Sequence, residues 1–296
     1  MTDNLLDMFD DLDRQTEPEG SKDAQIVRAP FGYPGGKTKS IDNILPHLPY
    51  KDRYVEPFGG SGAVLLARHK SKLEVLNDKY LGVVAFYRCL RDPKKYDRLV
   101  EFLELTIHSR EEFVDFKNQW ENTYDDVERA AKWYYMLNYS FSSLGRNFGR
   151  ATSHKGIIAG KIRNKLKLFP AIHDRLMRVQ IENQDWYDCV RDYDHKDTVF
   201  YLDPPYVDTY DGTFIHEMPR NEHLKLLETV FDCKGFVAVS GYSNPVYENQ
   251  SWDRRYSWES FVTIESCVHK GNNKECLEGK SKRQYAEEVL WIKEPR

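Results

Sequence analysis

Asp203-Pro204-Pro205-Tyr206 is the segment of this sequence best equipped for chemistry. It follows the apolar run TVFYL (198–202), which reads as a strand that two prolines must stop, because proline cannot donate to a ladder. The fixed proline φ angles hold the backbone after Asp203 rigid. The Asp203 carboxylate and the Pro204 carbonyl then offer two acceptors at set positions, Pro205 keeps them there, and Tyr206 adds an aromatic face. Two acceptors beside a stacking surface suit the exocyclic NH2 of a flat base.

A second segment, Glu56-Pro57-Phe58-Gly59-Gly60-Ser61-Gly62, has the composition of a ligand cradle. Gly59, Gly60 and Gly62 let the backbone pass close to a small molecule, and Ser61 is placed to cap the helix that follows. The N–H groups of a helix start favour an anionic group. Asp78 lies nineteen positions after Gly59 at the end of the next strand, where a carboxylate would hold a ribose hydroxyl pair. The other reading of Asn77-Asp78 is a turn-forming pair. FGYPGGKTKS (31–40) is not a Walker loop, because the residue five before Gly36 is Phe31 rather than glycine. Lys37 remains, either as a cation for the anionic end of a small molecule or as a solvent-facing lysine on a glycine turn.

These segments need a frame. RYVE (53–56), LEVLND (73–78), part of LMRVQIENQDW (176–186), TVFYL, GFVAVSG (235–241) and EEVLWIK (287–293) read as strands. AVLLARHK (63–70), YLGVVAFYRCLR (80–91) and much of 92–140 read as helical, with Phe113, Phe116, Trp120, Ala130, Ala131, Trp133, Tyr134 and Leu137 at core-like spacing. Residues 141–165 gain Gly, Ser, Asn and Arg and read as loops or a short hairpin. Strand–helix alternation predicts an α/β fold with a mostly parallel sheet covered by helices. In such sheets ligands bind at the carboxyl ends of strands, where the motifs sit.

Composition narrows the class. A chain of 296 residues is long enough for two domains, or for one large domain with an insertion. Five cysteines, odd in number, scattered and never in C-x-x-C spacing, argue against a disulfide scaffold and a zinc site, so no metal is expected. No apolar run approaches the roughly 18 residues of a membrane span. The acidic start MTDNLLDMFDDLDRQ is not a signal peptide. A reduced, cytoplasmic, soluble protein with no membrane partner is the expectation. The net charge of −4 hides a segregation. Residues 1–25 carry eight acids and two bases, a composition that reads as disordered. Residues 144–179 carry nine bases, among them Arg146, Arg150, Lys155, Lys161, Arg163, Lys165 and Arg175, against the single acid Asp174. Such a stretch is either a solvated face or a contact for a polyanion.

YPGGK (33–37), EPFGGSG and DPPY, in this order, resemble the DNA adenine methylase (Dam) family, the D12 class of N6-adenine-specific DNA methyltransferases. The likeness runs from about Phe31 to Ile292, and SGYSNPVYE (240–248) looks most like bacteriophage members. It implies a Rossmann-like, S-adenosylmethionine-dependent methyltransferase sheet with an inserted, mainly helical target-recognition domain. The divisions are an acidic tail at 1–27, a catalytic domain at 28–91 and 176–296, and the insertion at 92–175. The cofactor implied is S-adenosyl-L-methionine and the partner double-stranded DNA, bound by a monomer or weak dimer. By the same likeness Tyr33, Lys37, Glu56, Pro57, Phe58, Gly59, Gly60, Gly62, Asp78, Asp185, Trp186 and Asp203 contact the cofactor. Asp203, Pro204, Pro205 and Tyr206 carry the transfer to adenine N6. LNYSFSSLGRNFGR (137–150) is similar to the family's DNA-facing segment, so Arg146, Asn147, Arg150, Lys155, Lys161, Arg163 and Lys165 are expected at DNA. It departs where the family has Asn-Arg, since Tyr139 follows Asn138, and where the family has Asn-Gly, here Ser143-Leu144-Gly145. GATC is the family's commonest target, and members occur in restriction–modification pairs. The rival readings are an amino-methyltransferase for cytosine N4 or a glutamine amide, and an inactive DNA-binding protein of the same fold. A nicotinamide enzyme is disfavoured because the glycine loop lacks G-x-G-x-x-G spacing.

Overall fold

Successive side chains along a strand point to opposite faces, so the continuous apolar runs of the central strands let a single sheet bury both faces. The computed structural model describes residues 27–150, 159–207, 218–262 and 284–296. Its strands are β1 (Arg53–Glu56), β2 (Leu73–Asn77), β3 (Val179–Glu182), β4 (Thr198–Leu202), β5 (Phe236–Tyr242), β6 (Arg254–Val262) and β7 (Gln284–Lys293). They form one seven-stranded sheet in the order β3-β2-β1-β4-β5-β7-β6. β1 to β5 run parallel, and β7 lies antiparallel between β5 and β6. Val199, Tyr201, Phe236, Ala238, Leu290 and Ile292 point into one hydrophobic cluster. Their neighbours Phe200, Leu202, Val237, Val239, Val289 and Trp291 point into a second.

Helices cover both faces. α1 (Ala63–Ala67), α2 (Leu81–Arg91), α3 (Pro93–Leu105), α4 (Arg110–Gln119), α5 (Asp126–Tyr139), α6 (Lys161–Leu166) and α7 (Phe169–Leu176) bury side chains in the first cluster. α8 (Trp186–Tyr193) and α9 (Arg220–Asp232) bury theirs in the second. α2 to α7 all lie in the crossover from β2 to β3 and share the core of the sheet face they cover. Local chemistry starts these helices. Asp92 accepts the N–H groups of Lys94 and Lys95 ahead of Pro93, Ser109 accepts from Glu112, and Asp125 accepts from Val127 and Glu128. α2 and α5 meet through Phe86 stacked on Tyr134, with centroids 4.6 Å apart. A Cβ at Gly82 would stand 2.3 Å from Trp133 Nε1, so only glycine admits that indole.

Several expectations change. Residues 141–165 are not all loop or hairpin: Ser140 bridges Phe148 around a turn at Phe141–Ser143, and α6 begins at Lys161. α6 forms because Ile162 and Leu166 are buried, while the Lys161 ammonium donates to Asn138 O near the end of α5 at 2.7 Å. α7, α8, α9 and the edge strand β6 are elements that the sequence pattern alone does not announce. Arg175 does not belong to the basic surface. It is buried and donates to both oxygens of Glu74 and to Leu65 O, tying α7 to β2 and α1. The strand order turns back between β1 and β4, since β2 and β3 lie to one side and β5 to the other. That switch point is where an α/β sheet opens a crevice.

Candidate active site

The loop after β1 is built from backbone. Gly59 N–H donates to Asn77 O at 2.7 Å, and a Cβ there would stand 2.6 Å from Leu76 Cδ1. Gly60 and Gly62 have φ of +49° and +61°, in the left-handed region. The buried Asn77 amide donates to Pro57 O (2.8 Å) and Gln184 O (3.2 Å) and accepts Gln184 N–H (2.8 Å). It thereby ties together the chain after β1, β2 and β3. Asp78 closes a turn and braces the loop at once: one oxygen accepts Tyr80 N–H at 2.7 Å, the other Gly60 N–H at 2.8 Å. Burial pushes the Asp78 carboxyl up to about 6, against the pull of those two N–H groups. Ser61 does not cap α1: the residue before the helix is Gly62, and no side chain caps it.

Tyr33-Pro34-Gly35-Gly36 forms a type II turn, with Gly36 N–H on Tyr33 O at 2.9 Å and Gly35 at φ +72°. The turn delivers Lys37 inward. Lys37 is buried rather than solvent-facing, with Nζ 2.6 Å from the Asp203 carboxylate, 2.6 Å from Gly35 O and 3.5 Å from Glu288. Asp203 follows β4 and also accepts from Ser240 Oγ (2.9 Å) and Tyr206 Oη (3.3 Å). Burial raises the Asp203 carboxyl, Lys37 opposes that rise, and Glu288 adds to it. The Tyr206 hydroxyl donates to Glu288 at 3.0 Å, and its ring meets Tyr242 edge-on at 4.6 Å. Tyr201 Oη pairs with Ser240 Oγ at 2.9 Å.

These parts face one cavity of about 510 Å³. Tyr33, Lys37, Glu56, Pro57, Phe58, Gly59, Gly60, Asp78, Asp185, Trp186, Asp203, Pro204, Pro205 and Tyr206 all line it. Gly62 does not: it lies behind the loop, where a Cβ would stand 3.2 Å from the Tyr87 hydroxyl. At the far end Phe58 and Trp186 stack with centroids 6.2 Å apart, and Asp185 caps α8 while pairing with Lys79 at 3.1 Å. Glu56 is fully buried on Tyr54 Oη at 2.7 Å, and burial pushes its carboxyl up to about 8. Among the described residues no group of three or more His, Cys, Asp or Glu is placed to hold a metal ion.

Sequence reasoning missed Glu288, Ser240 and Lys225, the last lining the cavity with its ammonium 4.2 Å from the Tyr187 ring centre. Glu288 left one signal, an acid beside the buried run Val289–Ile292. The basic stretch divides. Arg146, Asn147, Arg150 and Arg163 are exposed. Lys161 is committed to Asn138 O, and burial pushes the Lys165 ammonium down to about 8. Lys155 lies outside the described residues. The 140–149 loop abuts the turn that carries Lys37, since a Cβ on Gly32 would touch Ser143 Oγ at 3.5 Å.

Comparison with known proteins now bears on this geometry. The family described as D12 class N6 adenine-specific DNA methyltransferase matches residues 33–266. The chain belongs to that family. Among its relatives is a Type II methyltransferase, M.MjaIII of Methanocaldococcus jannaschii, 28% identical over 202 residues covering 58% of this chain and 66% of the relative. Another is a DNA N-6-adenine-methyltransferase of Escherichia phage P1, 30% identical over 126 residues covering 42% of this chain and 16% of the relative. A third is the Type II methyltransferase M1.LlaDCHI of Lactococcus lactis subsp. cremoris, 28% identical over 237 residues covering 72% of this chain and 81% of the relative. The family match takes in both walls of the cavity, from Tyr33 through Tyr206.

Proposed function

We propose that this protein transfers a methyl group from S-adenosylmethionine to the N6 amine of an adenine flipped out of duplex DNA. The observation that carries the reading is that Asp203-Pro204-Pro205-Tyr206 and the glycine loop face each other across one cavity at the switch point of the sheet. The cavity suits the cofactor. Its volume is in the range of small-molecule sites. It joins an aromatic end (Phe58, Trp186), carboxylates at Asp78 and Asp185 for hydroxyl and amine donors, and the Lys37 cation. Bound there, S-adenosylmethionine supplies an electrophilic sulfonium methyl.

The amine of adenine is a poor nucleophile, because its lone pair is delocalised into the ring. Asp203 and the Pro204 carbonyl accept its two N–H bonds and favour tetrahedral nitrogen, which returns the lone pair. Tyr206 stacks on the base. Flipping costs a few kcal/mol. What the protein supplies is mainly position, since sulfonium is already a good leaving group.

In this reading residues 28–91 and 176–296 form the catalytic part and 92–175 the recognition part, preceded by the acidic segment 1–27. The exposed Arg146, Asn147, Arg150 and Arg163 meet DNA, with the partly buried Lys165 on the same helix as Arg163. Arginines can read guanine edges, whereas phosphate contacts fix register. The enzyme would act in the cytoplasm. The test is mass analysis of nucleosides from duplex DNA incubated with the purified protein and S-adenosylmethionine. N6-methyladenine is expected. N4-methylcytosine, or no methylated base, would overturn the reading.

A further inference from the structure

We propose that Glu288 is a positioning residue for methyl transfer, fixing the Tyr206 ring and sharing the Lys37 ammonium with Asp203; this rests on the function proposed above. Glu288 sits on β7, opposite Tyr242 in the antiparallel register with β5. It is 4% exposed, and the four residues after it, Val289 to Ile292, are core. An isolated carboxylate in such a place is destabilising, so its retention calls for partners or a task. Two of its three partners, Tyr206 and Lys37, line the transfer side of the cavity. One oxygen accepts the Tyr206 hydroxyl at 3.0 Å and lies 3.5 Å from Lys37 Nζ. The other accepts Ser40 Oγ at 3.4 Å.

Two consequences follow. Tyr206 has its hydroxyl held between Glu288 and Asp203, at 3.0 and 3.3 Å, which fixes the ring plane on which a flipped base would stack. Lys37 is one ammonium between two carboxylates, so its charge is not spent wholly on Asp203. Asp203 keeps acceptor strength for the amine that it would lose in an exclusive ion pair. Glu288 itself lies outside the cavity lining and acts through Tyr206 and Lys37.

The experiment compares Glu288→Ala, Glu288→Gln, Tyr206→Phe and the double variant Glu288→Ala/Tyr206→Phe. Three quantities are read: S-adenosylmethionine affinity by calorimetry, the single-turnover methylation rate at saturating DNA, and the melting temperature. Glu288→Ala should slow single turnover about tenfold or more while cofactor affinity stays within about threefold, the size expected for a charge-assisted bond used in one step only. Glu288→Gln keeps an acceptor for Tyr206 and should recover part of the rate; it also carries the test if the alanine variant does not fold. In the Tyr206→Phe background Glu288→Ala should cost less. An unchanged rate, equal losses in affinity and rate, or full additivity with Tyr206→Phe would overturn the proposal. If the wild type methylates cytosine instead, the function reading fails, while the Glu288 effect is still read on that acceptor.

Discussion

The loop after β1 is held by backbone hydrogen bonds to the side chains of Asn77 and Asp78, whereas the segment after β4 is held by a buried ion-pair cluster. Asn77 and Asp78 pin Pro57 O, Gln184 and Gly60 N–H, so the first wall is set by hydrogen bonds that strand ends supply anyway. Lys37, Asp203, Glu288, Ser240 and Tyr206 set the second wall from four separate stretches of chain. A wall that only binds can be rigid, with its one carboxylate, Asp78, held by backbone N–H groups. A wall that must draw density onto a nitrogen needs a carboxylate, and a buried carboxylate needs partners.

That contrast makes the two walls separable by mutation. The largest effect belongs to Asp203→Ala, which should lower methylation at least about a hundredfold, the scale of losing one preorganised polar group from a reaction centre. Asp203→Asn should also fail, since the amide keeps one acceptor oxygen and loses the charge. Turnover assays check both, and a variant with wild-type rates would collapse the distinction between the walls. Asp78→Ala should act on the other wall, weakening S-adenosylmethionine about ten- to a hundredfold with DNA affinity unchanged, as for a lost charge-assisted bond. Because Asp78 titrates near about 6, wild-type cofactor affinity should also fall as pH drops through that value, and calorimetry across pH would show it.

A smaller effect sharpens the comparison through stability. Glu56 titrates at about 8 in the folded protein, well above its ordinary 4.5. Between those values the folded state holds a proton that the unfolded state has released, so stability falls as pH rises through the window. Glu56→Gln should flatten that fall, and urea unfolding at several pH values would reveal it. Parallel slopes for both proteins would mean that Glu56 is ionised in the fold. The smallest effect lies outside the cavity. Arg163→Ala should weaken all duplexes alike and reduce the salt slope of log K by about 0.9. An unchanged slope would return that face to plain solvation.

The frame and the first wall were largely legible in the sequence. β1, β2, β4 and β5 are short apolar runs closed by Gly, Asp or Pro, and the glycine spacing to Asp78 is local. β6 escaped notice because RRYSWESFV mixes charges with aromatics, as an exposed edge strand does. The second wall was legible only at its motif. Lys37 reads either as a ligand-facing cation or as a solvent-facing lysine, and its pairing with Asp203 appears only once the type II turn directs it inward. Glu288 and Ser240 become neighbours of Asp203 only when β7 enters the sheet antiparallel beside β5. Arg175 shows the converse error, a base counted as surface that pairs with Glu74 in the core. Charge counting along a chain is blind to partners that lie 101 positions away.

The central claim is that one wall binds the cofactor and the other activates the amine. Titration of S-adenosylmethionine into Asp203→Ala and Asp78→Ala, side by side in a calorimeter, tests it most directly. The account predicts that Asp203→Ala binds within about threefold of the wild type while Asp78→Ala binds at least about tenfold more weakly. Loss of binding in Asp203→Ala with full binding in Asp78→Ala would contradict it.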